Sequence, residues 1–243
     1  MLRRVADPPH EMPHETLQLP IEDCPVEAVA ARLDLPGEDP GGPVVLLAHG
    51  AGAPMESDFL EEVALGLAAT GLPVLRFRYA YTERAAREER RLPPDRMPRL
   101  EAVHGMALAA LRARFPGRPV LLAGKSMGGR VATHLVASGE ACLGVVLLGY
   151  PLHPAGKPER LRVEHFPDIE APCLFLQGTR DALCDLELLN EHLPSLGGAW
   201  ALHTIEGGNH SFEVPRRSGR SDAEVRAELV ATIASWAEGL RSS

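Results

Sequence analysis

Three side chains able to do chemistry together lie far apart in this chain: Ser126 inside LLAGKSMGGR, Asp181 closing QGTRD and His210 closing GGNH. A serine hydroxyl is a poor nucleophile until a base takes its proton, and that base is usually a histidine oriented by a carboxylate. Gly124, Ser126 and Gly128 form GxSxG directly after an apolar run and before a helical pattern. A strand turning that sharply into a helix strains the backbone at the serine, and small neighbours let the two elements approach. The hydroxyl would then stand alone above the sheet edge. The same letters also suit a glycine-rich turn with an incidental serine, so the partners decide. They follow in the order nucleophile, acid, histidine, each just beyond an apolar run, where open α/β sheets place their sites. The chemistry expected of Ser126, Asp181 and His210 is acyl transfer through a covalent intermediate.

Each residue has a plainer use. Asp181 could cap the helix that follows it. Asp185 is a rival acid, but the pattern puts it inside that helix. His203 falls within a strand and reads as structural. HGAG at 49 to 52 follows another apolar run, and its glycines allow N–H groups to turn toward the serine. The amides of Ala51 and Met127 are the expected oxyanion donors; losing one such donor costs about 3 kcal/mol in known hydrolases. His49 reads as a residue that shapes this loop by hydrogen bonding.

The elements that must position these groups are legible as short apolar runs: VVLLA at 44 to 48, VLRFRY at 74 to 79, VLLA at 120 to 123, VVLL at 145 to 148, CLFLQ at 173 to 177 and WALHTI at 200 to 205. Such continuous runs suit strands buried on both faces. Helical patterns lie between them, over 59 to 69, 100 to 114 and 130 to 137, with a final one after Ser221. Asp58 with Glu61, and Ser221 with Glu224, have capping-box spacing. Thr16 to Leu19 and Glu27 to Leu35 read as antiparallel strands at one edge. The alternation predicts an α/β fold with a mostly parallel, doubly wound sheet flanked by helices. Residues 16 to 243 are expected to form a single domain, with 1 to 15 as a poorly ordered extension.

Composition narrows the function. The hydrophobic fraction is 45% and the charged fraction 24%, ordinary globular usage. No apolar stretch approaches a membrane span, and the start lacks a signal core, so a cytoplasmic chain is expected. A formal charge of −8 argues against nucleic acid or anionic membrane as a partner. Four scattered cysteines indicate neither a disulfide framework nor a zinc site. No cofactor or metal is expected, and the sequence assigns no oligomeric state.

With these residues assembled, the chain resembles the α/β-hydrolase superfamily. It is similar in particular to the dienelactone-hydrolase-like branch, which includes a bacterial group related to a testis-expressed vertebrate protein and to a subunit of a chromatin-modifying complex. The shared text runs through HGAG, RRLPPDRMPRLEA, GKSMGGR, GYPLHPAGKPERLR, QGTRD and GGNHSF to the terminal helix, most of residues 44 to 240. The resemblance implies the α/β-hydrolase fold, the Ser126, Asp181, His210 triad and hydrolysis of an ester or similar acyl bond. It does not imply lactone cleavage, because dienelactone hydrolases carry cysteine where this chain has Ser126.

Two features bear on the substrate. Between Glu83 and Arg99 stand six arginines against four acids, and Arg216, Arg217 and Arg220 follow His210. They either hold a carboxylate or phosphate on a small acyl substrate or pair with Glu83, Glu88, Glu89 and Asp95. The stretch between the strands at 145 to 148 and 173 to 177 is too short for a large lid domain, which favours small acyl substrates over long-chain lipids. The alternative is a catalytically silent member of the fold that binds a partner.

Overall fold

A computed structural model describes residues 13–22 and 24–242. Eight strands form one sheet: β1 (His14–Pro20), β2 (Ala28–Asp34), β3 (Val44–Ala48), β4 (Val74–Phe77), β5 (Val120–Lys125), β6 (Gly144–Leu148), β7 (Cys173–Gly178) and β8 (Trp200–Ile205). Their spatial order is β1-β2-β4-β3-β5-β6-β7-β8. The first two strands run antiparallel to their neighbours, and the other six are parallel. The expected doubly wound sheet is the one the chain forms. His14 and Glu15, expected in the extension, already belong to β1, and residues 1 to 12 of that extension lie outside the described residues.

Among the described residues six α-helices cover the sheet: α1 (Asp58–Ala69), α2 (Ala80–Arg87), α3 (Met97–Arg114), α4 (Met127–Ala137), α5 (Leu186–His192) and α6 (Asp222–Arg241). The continuous apolar runs follow from burial on both faces, because successive side chains of a strand point to opposite sides. Along β3, Val44, Leu46 and Ala48 join the core under α3 and α4, while Val45 and Leu47 join the core under α1 and α6. Leu122 and Leu121 of β5 divide in the same way.

Helix ends obey local chemistry with one departure from the sequence pattern. Ser221 and Glu224 form the expected capping box on α6. The Asp58 and Glu61 pair does not form one, since Ser57 is the N-cap of α1 and makes no side-chain cap bond. Asp58 and Glu61 instead place negative charge in the first turn, where the exposed N–H groups favour it. The arginine-rich stretch is helical only at its two ends: α2 takes up its beginning through Arg87, residues 88 to 96 form no helix, and α3 starts at Met97 with Pro98 tolerated in its first turn.

One charged contact joins the antiparallel edge to the parallel sheet. Arg76 on β4 is 1% exposed and Asp34 on β2 is 0% exposed, so neither charge has water to stabilise it. They pair in fork geometry, Nε to Oδ2 at 2.9 Å and Nη2 to Oδ1 at 3.3 Å. Arg76 Nη1 also donates to the carbonyl oxygen of Met55 at 2.8 Å, tying down the loop between β3 and α1. Removing Asp34 leaves the buried guanidinium with only the longer contact to Glu61, at 3.7 Å, as counter-charge. Asp34→Ala is therefore expected to cost about 3–5 kcal/mol in urea unfolding. The double variant Asp34→Ala with Arg76→Met should recover much of that loss.

Candidate active site

β5 ends at Lys125 and α4 begins at Met127, so Ser126 alone makes the turn between them. Its backbone sits at φ 51 and ψ −113, a conformation that costs a non-glycine residue about 1–3 kcal/mol. The crossing leaves no room for side chains. A Cβ on Gly124 would lie 2.2 Å from the Gly129 nitrogen, and one on Gly128 would lie 2.6 Å from the Ala48 oxygen. Gly129 belongs to the same requirement, with a hypothetical Cβ 2.8 Å from the Gly124 oxygen. The motif reading stopped at Gly128, but the doubled glycine was the available signal. The Ser126 amide donates to the Leu148 carbonyl at the end of β6 at 3.0 Å, which fixes the turn to the neighbouring strand.

The expected acid and base arrive from the ends of β7 and β8. Ser126 Oγ lies 2.8 Å from His210 Nε2, and His210 Nδ1 lies 2.7 Å from Asp181 Oδ2. The Asp181 side chain is fully buried yet well supplied with donors. Gln177 Nε2 donates to Oδ2 at 2.6 Å, and the Leu183 amide donates to Oδ1 at 2.8 Å. Gln177 was missed in the sequence, although a glutamine closing the apolar run CLFLQ was visible. The two loops are held edge to edge at Gly178, where a Cβ would lie 2.3 Å from the Gly208 oxygen. His210 rides on a compact turn in which Asn209 Oδ1 accepts from the amides of Ser211 at 2.9 Å and Glu213 at 3.0 Å.

The rival groups have other uses. Asp185 is not inside a helix but is the N-cap of α5, accepting from the amides of Glu187 and Leu188. That capping duty therefore falls to Asp185 and leaves Asp181 for His210. His203 pairs with Glu228 at 2.7 Å, away from the serine.

His49 shapes the loop after β3. Its Nδ1 lies 2.7 Å from the Gly50 carbonyl oxygen, and the Tyr79 amide donates to its Nε2 at 3.2 Å. Those partners require a neutral ring with the hydrogen on Nδ1. Burial pushes its pKa down to about 4, which keeps the ring neutral. Tyr81 Oη adds weak bonds to the carbonyls of Gly50 and Ala51 at 3.4 and 3.3 Å. In a trans peptide the carbonyl and the following N–H point in opposite directions, so pinning Gly50 O also sets the direction of the Ala51 N–H. Met127 is the first residue of α4, and the N–H groups of a first turn lack acceptors within their helix.

Ser126 and His210 open onto a cavity of about 440 Å³ whose walls include His49, Ala51, Phe59, Lys125 and Leu183. No arginine lines it. Arg84 and Arg99 bind Asp95, Arg87 approaches Glu83, and Arg90 binds Glu88. Arg84, Arg96 and Arg99 instead face a separate open groove with Leu92 and Pro93, and Arg220 pairs with Glu228. Of the two uses the sequence left open, Arg84, Arg87, Arg90 and Arg99 take the second, pairing with Asp95, Glu83 and Glu88. The cation in the cavity wall is Lys125, in the variable slot of GxSxG. Residues 149 to 172, between β6 and β7, contain one short 3₁₀ turn, Phe166–Asp168, and no lid domain. Among the described residues, no group of three or more His, Cys, Asp or Glu could hold a metal ion, and no helix is long and apolar enough to cross a membrane.

Comparison with known proteins agrees with this architecture. Residues 41–238 match the family described as Alpha/beta hydrolase domain. Among solved structures, a dienelactone hydrolase from Anabaena variabilis superposes with a TM-score of 0.71 at 22% identity, covering 93% of this chain and 97% of the other. A lidless serine hydrolase from Xanthomonas campestris gives 0.69 at 22% identity, covering 95% and 98%. A protein of unknown function from Agrobacterium tumefaciens, described as a putative α/β hydrolase, gives 0.72 at 17% identity, covering 93% and 97%. At these identities the likeness is one of fold.

The neutral state of His49 has a measurable consequence. Its folded pKa lies below the ordinary 6.5, so between the two values the unfolded chain binds more protons than the folded one. Stability is complete above about pH 6.5 and declines as pH falls from there through about 4, by up to about 3 kcal/mol from this residue. His104 and His165, pushed by burial down to about 3 and about 4, act in the same direction. Nitrogen NMR should show the His49 ring as the Nδ1–H form, without titration between about pH 5 and 8, and denaturant midpoints should fall below about pH 6.5. A His49 ring that titrates near 6.5 would contradict the assignment.

Proposed function

The chain belongs to the α/β-hydrolase family, and on that premise we propose that it is a serine hydrolase cleaving a small ester or related acyl bond. The observation that carries the reading is the unbroken hydrogen-bonded path from Ser126 Oγ through the His210 ring to the buried Asp181 carboxylate. In the proposed mechanism Ser126 attacks the acyl carbon while His210 Nε2 takes the hydroxyl proton. Asp181, held in place by donors from Gln177 and Leu183, keeps the hydrogen of His210 on Nδ1 and stabilises the imidazolium as it forms. The charge developing on the carbonyl oxygen is received by the amides of Ala51 and Met127. His210 then protonates the leaving group, and water attacks the acyl-enzyme by the same route in reverse.

The cavity supports small substrates. Its size suits a compact acyl group, Phe59 and Leu183 supply apolar wall, and the stretch from 149 to 172 builds no cover over it. An anionic substrate would meet Lys125 instead of an arginine cluster. The proposed setting is a cytoplasmic enzyme needing no cofactor. A narrower kinship with the testis-expressed and chromatin-associated proteins is part of the proposal, and what supports it is the segments around GKSMGGR, QGTRD and GGNHSF. The assembly role of the chromatin-associated relatives keeps the silent, partner-binding reading as the competitor.

An organophosphorus serine probe separates the two. The wild-type chain should be labelled at Ser126 and should hydrolyse short-chain esters, while Ser126→Ala should do neither. Asp181→Asn should retain the fold and lose kcat by about 10³–10⁴-fold, because an amide does not favour the required tautomer. A folded wild-type chain that resists the probe and hydrolyses no member of a panel of small esters, thioesters and amides would favour the silent alternative.

A further inference from the structure

We propose that Lys125 is a positioning residue: its ammonium straps the turn carrying His210 to the loop carrying Ser126 and so sets the distance between base and nucleophile. The inference rests on the serine-hydrolase reading above. Lys125 is bonded covalently to Ser126, yet its Nζ donates to the backbone oxygen of His210 at 2.6 Å. The same Nζ stands 5.5 Å from the centre of the Phe212 ring, two residues beyond the histidine. One side chain thus contacts the base's turn at both ends while its own backbone ends the nucleophile's strand.

The surroundings are shaped to receive it. Gly149, at the end of β6, leaves the ammonium its space: a Cβ there would lie 3.2 Å from Lys125 Nζ and 3.6 Å from His210 Nδ1. Phe212 holds a left-handed backbone, φ 64, and its ring is buried against Phe59 of α1, 5.6 Å away and nearly parallel. The platform under the ammonium is therefore anchored by a second element that also lines the cavity. Charge matters as well as shape, because a charged donor binds a carbonyl about twice as strongly as a neutral one and only a cation gains from the ring face.

The strap is also sensitive to pH. Burial pushes the Lys125 pKa down to about 8, opposed by the charge of Asp181. Asp181, from the end of β7, and the His210 ring, from the end of β8, are the ionisable groups facing it. The ammonium form holds below about pH 8, and the strap weakens as pH rises through that value.

Three full-length proteins test this: wild type, Lys125→Met and Lys125→Arg, assayed on a neutral and an anionic short-chain ester from pH 6 to 10. Wild-type kcat should fall as pH passes through about 8. Lys125→Met should lose about tenfold in kcat with KM within about twofold on both esters, and should show no alkaline fall. Lys125→Arg, which keeps its charge, should recover part of kcat and hold it beyond pH 9. Hydrogen exchange at the amides of Ser211, Phe212 and Glu213 should be faster in Lys125→Met at pH 7 and unchanged in Lys125→Arg. An alkaline fall retained in Lys125→Met, or a loss confined to KM for the anionic ester, would overturn the strap. The second result would make the ammonium a substrate-binding group. Should Lys125→Met fail to fold, the wild-type and Lys125→Arg profiles decide. If the wild type does not react at Ser126, the hydrolase reading fails by itself, and the exchange rates still judge the strap.

Discussion

The structure depends on how closely one strand end and one helix start can cross. Between β5 and α4 the backbones of Gly124, Gly128 and Gly129 meet at distances no Cβ can occupy, and Ser126 takes a left-handed conformation because the crossing leaves no other path. That crossing lifts the hydroxyl out of the sheet. The remaining site is arranged to meet it there, with one loop from β7, one from β8 and one from β3 converging on a single point. The strain is local, and its cost is spread over a core buried on both faces of the sheet.

Burial decides the behaviour of the charges around that point. The Asp181 side chain has no access to water and is held by three partners, so its carboxylate is fixed in place. His49 is neutral because it is buried, and that neutrality lets one ring donate to Gly50 while accepting from Tyr79. Arg76 carries its charge into the core because Asp34 meets it in fork geometry. In each case the polar group is satisfied from two or more elements, so the pairings specify the arrangement of loops more than they add to stability.

Much of this was legible from sequence, for identifiable reasons. Two-sided burial writes itself as uninterrupted apolar runs, so all six parallel strands could be found to within two residues at either end. The order of Ser126, Asp181 and His210 was visible because each follows one of those runs. What stayed hidden depended on pairing across space. Gln177 looks like the polar end of a strand until its amide is found on Asp181. The arginines from 84 to 99 leave substrate binding and ion pairing both open until Asp95 is found between Arg84 and Arg99, and Lys125 gives no sign of its partner until its ammonium is found against His210. Caps proved equally local: Asp185 and Ser221 use their side chains, whereas Asp58 has the right spacing and does not.

The contact between Asp34, Arg76 and Met55 bears on where this protein can be trimmed. The family match begins at residue 41, and a fragment cut there would keep Ser126, Asp181 and His210 while discarding both antiparallel strands. It would also discard the nearer counter-charge of Arg76, the residue that holds the carbonyl of Met55, and leave it only Glu61 at 3.7 Å. The boundary drawn by homology is therefore narrower than the boundary drawn by electrostatic self-sufficiency. A unit that keeps the close partner of Arg76 reaches back through Asp34, because the loop between β3 and α1 is tied down through a residue on β2.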